Sequence, residues 1–442
     1  TAGKDGQQEV RAVFNTAISD SVALKVFGTK IDYDGHMDNI TTGNGVAEKD
    51  YSAGGATLLF TPNDRFEATL TVETFADEGT LDAFQTNYNV PAGLLPQPPA
   101  GSPENDFSGG FLTCGIFGTC RTSLDTPGFS ENDTDNNYSL DTDAVTLNMA
   151  LDLNENLTLV SVTGYRDVAE YRIYDFDASA APMITIERFN EYDQLSQEVR
   201  IDGNFDRLSF TAGMYYFKNE FTQDWYTGDA FWGILFGANL ANPDLGGPGV
   251  SGLTLCQIGA FAPVYCDPGM TDLSQNIHQI LYETQETVST AVFAQMDYDL
   301  TDQLTLTAGL RWTKEEKDFI AGQAYLTQAD RESLRQFPDY ADLSQEWTEI
   351  SPKVGLTYAI NDSSMAFITY SEGFHSGGFF GVNQNIRDFE RDQYDPEYAS
   401  NIEIGYKSQH LNNRVRFNAT YFRNDFEDKQ ESFVALDPDT KT

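Results

Sequence analysis

The chain has 442 residues, and its 68 acidic against 27 basic residues give a formal net charge of −41. That balance excludes nucleic acid as a partner, because phosphate recognition needs basic surface. No apolar run reaches the roughly 18–20 residues of a spanning helix; the best attempt, FWGILFGANLA at 231–241, is short and broken by glycine, so any membrane span must be built of strands.

Length alone would suggest about three domains of ordinary size, yet one motif repeats from end to end. An apolar strand end, a short Asn/Asp-rich turn and a second alternating strand recur. They do so at AISDSVAL (17–24), FTPNDRFEATL (60–70), LNENLTL (153–159), DGNFDRLSF (202–210), DLTDQLTL (299–306), AINDSSMAF (359–367) and QHLNNRVRF (409–417). Asn, Asp and Gly suit tight turns because they tolerate positive φ or bond their own backbone. Seven such hairpins predict about fourteen strands.

The flanking strands alternate between apolar and polar or small residues. Phe66, Ala68, Leu70 and Val72 alternate with Glu67, Thr69, Thr71 and Glu73. Val145 to Leu151, Leu208 to Tyr216, Leu304 to Trp312, Val354 to Ile360 and Val415 to Tyr421 behave the same way. Between hairpins the connections run about 34–50, 76–137, 167–190, 219–280, 314–348 and 371–394, several of them rich in Gly, Pro, Asp and Asn. Short turns at one end and long loops at the other are the pattern of an outer-membrane barrel. Phe60, Phe66, Tyr298, Trp312 and Tyr358 near the turns fit interfacial girdles, though strand propensity also favours aromatics there.

The four cysteines form two close pairs, Cys114 with Cys120 and Cys256 with Cys266, both in the longest connections. Neither has zinc-site spacing. Disulfides within each pair would indicate an oxidising compartment; buried free thiols are the alternative. The acidic tract SENDTDNN (130–137) offers carboxylate and carbonyl oxygens for Ca²⁺ but lacks the EF-hand spacing, and a solvated loop is the competing reading. No GxSxG, HExxH or phosphate-loop motif occurs, and none of the four histidines has metal-binding spacing. The expectation is therefore no enzymatic activity, no resident metal and no required cofactor.

Several segments resemble barrel strands of TonB-dependent outer-membrane receptors, most closely those of iron–siderophore uptake. They are TLVSVTGYRD (158–167), DQLSQEVRI (193–201), TAGMYYFKNE (211–220), TLTAGLRWTKEEKDF (305–319), ITYSEGFHSGGF (368–379), YASNIEIGYKS (398–408) and RVRFNATYFRNDFED (414–428). The resemblance implies an all-β, transmembrane antiparallel β-barrel of about twenty-two strands with a plugged lumen. It has short periplasmic turns and long extracellular loops. Against that pattern residues 1–442 read as a partial barrel of about fourteen strands, lacking the N-terminal plug, the first strand and the last strands.

The resemblance further implies a receptor in the outer membrane of a Gram-negative bacterium. It would bind a scarce ligand, such as a ferric siderophore or other iron complex, and import it with energy from TonB and its inner-membrane motor complex. Outer-membrane lipid would be the other partner. Import of glycans, cobalamin or other nutrients, a passive porin and a surface adhesin are the alternatives. In the barrel reading Arg311 and Arg416 face the lumen and His375 leaves the wall for an external loop. Trp225, Tyr226 and Trp232 are loop aromatics able to stack on a ligand or to pack the loop against itself.

Overall fold

The computed structural model describes residues 1–81, 129–130, 132–176, 184–228, 277–327, 341–380, 393–412 and 414–431. All regular structure among these residues is strand. In chain order the strands are β1 (Gln8–Ser19), β2 (Val22–Tyr33), β3 (Met37–Asn39), β4 (Gly45–Val46), β5 (Lys49–Asn63), β6 (Phe66–Thr80), β7 (Phe129–Ser130), β8 (Asn137–Asn154), β9 (Leu157–Asp175) and β10 (Thr185–Asn204). They continue with β11 (Leu208–Thr227), β12 (Ile277–Thr301), β13 (Leu304–Thr327), β14 (Ala341–Asn361), β15 (Ser364–His375), β16 (Gly378–Phe379), β17 (Gln393–Tyr394), β18 (Glu397–His410) and β19 (Val415–Glu427). Fourteen form one antiparallel meander in the order β1-β2-β5-β6-β8-β9-β10-β11-β12-β13-β14-β15-β18-β19.

All seven predicted hairpins are present, and their turns use the chemistry their residues offer. The side-chain oxygens of Asn63, Asn154 and Asn361 accept the amides of Arg65, Asn156 and Ser363, each at 2.9 Å. Thr301 Oγ1 accepts the amide of Gln303 at 3.2 Å. At the β18–β19 turn Leu411 and Asn412 adopt φ of 54° and 56°, the left-handed pair that a tight hairpin requires.

Register aligns the alternation across strands. Leu208, Tyr298, Leu306, Leu356, Ile368, Ile404 and Tyr421 stand directly opposite one another in turn on β11, β12, β13, β14, β15, β18 and β19. Met214, Leu310, Ile350, Phe417 and Tyr421 on the same face are all more than half exposed. A contiguous apolar surface of this kind is not tolerated in water. The buried apolar cluster among the described residues is small: Phe319, Ala321, Ala341 and Phe379 with Leu343 beside it. Among the described residues no second large sheet stands against the apolar face.

A single row of side chains ends the apolar band. Asp143, Asp167, Asp193, Glu220, Glu286 and Asp318 are register partners on six successive strands, all on the apolar side. Lys218 bridges Glu220 and Glu286, the latter at 3.0 Å. Lys314 does the same for Glu316 at 2.7 Å and Glu346 at 3.1 Å. Beyond this row the strands continue well past the band. Residues 167–175 and 185–190, expected to be connection, are paired strand in β9 and β10, and β13 and β14 extend equally far. The 24 residues of β13 make roughly 80 Å of strand at about 3.3 Å each. Even tilted by about 40°, that wall stands more than twice the height of an apolar band about 25 Å tall. The connections are correspondingly shorter than the sequence suggested.

Candidate functional site

The candidate functional surface is the polar face of β8 to β14 above the acidic row. Two neighbouring rungs carry it. Tyr138, Arg172, Arg188, Trp225 and Leu281 are register partners in one, and Leu140, Glu170, Asn190, Gln223 and Glu283 in the other. Period-2 geometry turns both rungs to the same side and places them one step apart.

These side chains form a connected network. Gln223 Nε2 donates to Asn190 Oδ1 at 2.8 Å, and Asn190 Nδ2 donates to Glu170 Oε2 at 2.7 Å. Arg172 Nε completes the chain on Glu170 Oε1 at 2.5 Å. Tyr138 closes the β8 end by donating to Asp77 Oδ2 at 2.7 Å. Arg188 lies over the Trp225 ring at 3.7 Å from its centroid, and the indole N–H donates to Thr227 Oγ1 at 3.0 Å. The indole edge is thereby fixed while its face holds the guanidinium. Burial pushes the Glu283 carboxyl above its ordinary range, and the charge of Arg188 offsets part of that shift. The patch thus presents cations, amide donors and an aromatic face together. That combination is chemically suited to anionic or flat aromatic groups, since Arg pairs with oxyanions and stacks on rings.

A second polar-side cluster lies toward β15. Above Lys353 and Ser371 the β14–β15 pairing ends, and the chain leaving β15 folds across the polar face of β13 and β14. Phe379 stacks on Phe319 at 5.2 Å. Lys317 Nζ donates to Ser376 Oγ at 2.9 Å and to Gly377 O at 2.8 Å, and sits 5.6 Å from the Trp347 ring centroid. A Cβ on Gly377 would fall 2.3 Å from Tyr394 O and 2.7 Å from the Trp347 ring, so glycine is required for this approach. Gln430 Nε2, just after β19, ties together the segments after β15 and before β18 by donating to Ser376 O and Asp395 O, both at 3.0 Å.

The residues singled out in the sequence are dispersed over this wall. Trp225 faces the polar side, in the network above. Tyr226, its neighbour, faces the opposite side and packs edge-on against Phe189 at 6.0 Å. Arg311 sits about mid-height on the polar side, its Nε donating to Thr313 Oγ1 at 3.1 Å, with the Tyr215 and Phe293 rings at 5.5 and 5.7 Å. His375 ends β15, where its Nδ1 is 2.9 Å from Gln430 Oε1. Arg416 stands at the second position of β19, next to the short turn and at the far end from Trp225. Cys114, Cys120, Cys256, Cys266 and Trp232 lie outside the described residues. Arg172, Arg188, Glu170 and Glu283 were not anticipated; the signal available was the alternation of Glu170 and Arg172 with Tyr171 and Ile173, which marks continuing strand.

A family model described as "TonB dependent receptor-like, beta-barrel" matches residues 74–441. The probable TonB-dependent siderophore receptor PiuA of Acinetobacter baumannii is 26% identical over 159 residues, which is 34% of this chain and 19% of that protein. The crystal structure of the ferric yersiniabactin uptake receptor FyuA from Yersinia pestis superposes with a TM-score of 0.65 at 14% identity. That match covers 97% of this chain and 53% of FyuA. The crystal structure of PiuA gives a TM-score of 0.59 at 15% identity, covering 95% of this chain and 55% of PiuA. The chain thus spans about half the length of the solved receptors it matches. Fourteen strands in one antiparallel sheet, an apolar outer face and a family match over most of the length agree: the chain belongs to the β-barrel family of TonB-dependent receptors.

Proposed function

We propose that this chain forms the wall and external vestibule of an outer-membrane receptor that imports an anionic iron chelate of the siderophore class. The observation that carries the reading is the Arg188–Trp225 stack set in the Arg172–Glu170–Asn190–Gln223 network, on the luminal side and above the membrane band. A ferric chelate presents oxyanion edges and flat ligand arms, and this patch has a partner for each. The siderophore receptors among the relatives support the same class of cargo. Neither role needs covalent chemistry, so the protein acts as a receptor and transporter. Energy from TonB would reach the ligand through the plug that the family resemblance assigns to such receptors.

Growth of a deletion strain on ferric siderophores as sole iron source tests the reading. Complementation by the wild-type gene restores growth, and R188A/W225A complements poorly at equal surface level. Normal growth of the deletion strain on every iron source, with loss of growth on a glycan or on cobalamin, would reassign the cargo.

A further inference from the structure

The described residues of the tract SENDTDNN are buried or half-buried up to Asn136. Ser130 and Asn132 are each 1% exposed, Asn136 is 5% exposed and Asp175 is fully buried, as is Asn39 of the β2–β5 connection at 1%. Three external segments meet here. β3 pairs with β4 on one side and with β7 on the other, and the upper end of β9 brings Asp175. Asp133 N donates to Asp175 Oδ2 at 3.1 Å, and Asp175 N donates to Asn136 Oδ1 at 2.9 Å. Asn39 Nδ2 donates to the Asn132 carbonyl at 2.9 Å and reaches Asp135 Oδ1 at 3.4 Å. Thr42 Oγ1 and Asn44 Nδ2 give Asp135 its other contacts, both at 2.5 Å. All three donors to Asp135 are neutral.

Two polar side chains inside this knot find no hydrogen-bond partner: both amide atoms of Asn132 and the hydroxyl of Ser130. Burying a polar group unpaired costs about 1–3 kcal/mol on mutational scales. Little apolar burial offsets it, since the knot is built chiefly of Asn, Asp, Ser and Thr. Asn132 immediately precedes Asp133, whose amide binds Asp175, and its carbonyl shares the Asn39 amide donor with the Asp135 carboxylate, so the unpartnered side chain belongs to the same knot as all three carboxylates. We propose that the knot binds one Ca²⁺, which cross-links the β2–β5 connection, the segment before β8 and the top of β9. No group of three or more His, Cys, Asp or Glu among the described residues is placed to hold a metal by itself. The ion is therefore shared among carboxylate, amide, hydroxyl and carbonyl oxygens and water. Ca²⁺ accepts such mixed oxygen sets at about six to eight positions, whereas Mg²⁺ demands near-ideal octahedral geometry.

The test uses the full receptor in detergent, stripped with EDTA and titrated with CaCl₂. Equilibrium dialysis with radioactive calcium counts bound ions in the wild type, in D135N/D175N and in the control D141N, which removes a carboxylate from the outward face of β8. The double variant loses one Ca²⁺ per chain and the control loses none; equal counts in wild type and double variant overturn the proposal. Hydrogen exchange on the wild type needs no variant to fold. Calcium slows exchange at residues 37–46 and 132–136, and MgCl₂ at the same concentration does not. Unchanged exchange with calcium, or equal slowing by magnesium, overturns it.

Discussion

Arg188 and Trp225 are register partners on β10 and β11, and the guanidinium rests 3.7 Å from the indole centroid. The pairing is dictated twice, once by the strand register and once by the Trp225 N–H fixed on Thr227. A cation–π contact is worth about 0.5–1 kcal/mol when exposed and about 2 when desolvated. If the ligand is a ferric chelate as proposed, W225A is therefore expected to weaken its binding by about 3- to 30-fold. R188K keeps the charge but loses the flat fork, and should weaken binding by a smaller factor. Calorimetric titration of the purified receptor with the chelate checks both values. Wild-type affinity in both variants would remove this patch from the ligand path.

Glu283 supplies a pH signature for the same patch. It lies above the acidic row that closes the apolar band, and burial raises its carboxyl above the ordinary 4.5. Between 4.5 and that raised value the folded chain holds a proton the unfolded chain has released. The contribution of Glu283 to stability is thus present at low pH and lost as pH rises through this window. E283Q should raise the thermal midpoint at pH 7 relative to wild type, and the two midpoints should converge as the pH falls toward 4.5. Parallel midpoint curves, measured by circular dichroism across pH 4.5–8, would contradict the assignment.

The acidic row predicts a salt effect. Asp143, Asp167 and Asp193 stand directly opposite one another, and like charges in that arrangement destabilise by up to about 1 kcal/mol per pair. Asp167 is the middle member, so D167N relieves two contacts at once. It should stabilise the protein by about 0.5–1 kcal/mol at low ionic strength. The gain should shrink at 1 M NaCl, where the Debye length is about 3 Å. Chemical unfolding in detergent at the two salt concentrations measures the difference.

Much of the fold was legible because strand and turn signals are local. Asn63, Asn154 and Asn361 marked their turns through the same side-chain-to-backbone bonds the structure contains. Leu306 and Val354 declared their face by period 2. Strand length was less legible. Above the acidic row the alternation persists, as at Glu170 to Ile173, but charged residues and the Gly-, Asp- and Asn-rich sequence beyond make it read as connection while the backbone pairing continues. The site was hidden for a different reason. Arg172, Arg188 and Trp225 come together only through register across β9, β10 and β11, which no single segment encodes. The burial of Asn132 likewise depends on β3 and β7 meeting across 91 residues of chain from Asn39 to Ser130.

The two faces of β13 offer the most direct test of the membrane assignment. Leu306 belongs to the apolar row running from Leu208 to Tyr421, whereas its neighbour Thr307 donates to Asp297 Oδ1 at 2.5 Å on the polar side. Arginine on a lipid-facing barrel position costs about 2–4 kcal/mol near the midplane and about 0–1 near the interfaces. L306R sits inside the band, nearer its turn-side interface than its midplane, and should lose roughly 1–2 kcal/mol of folding stability on that scale. T307R turns the same side chain into a wet lumen beside Asp297, where opposite charge compensates the lost hydroxyl bond, and should lose less than about 1 kcal/mol. Urea titration of refolding into phospholipid vesicles gives both numbers, with heat-modifiable gel mobility as a check on the folded state. Because the two positions are adjacent in sequence and share every strand neighbour, a difference between them reports the solvent on each face and nothing else. Equal losses at Leu306 and Thr307 would mean that β13 has the same medium on both sides, which a membrane barrel cannot have.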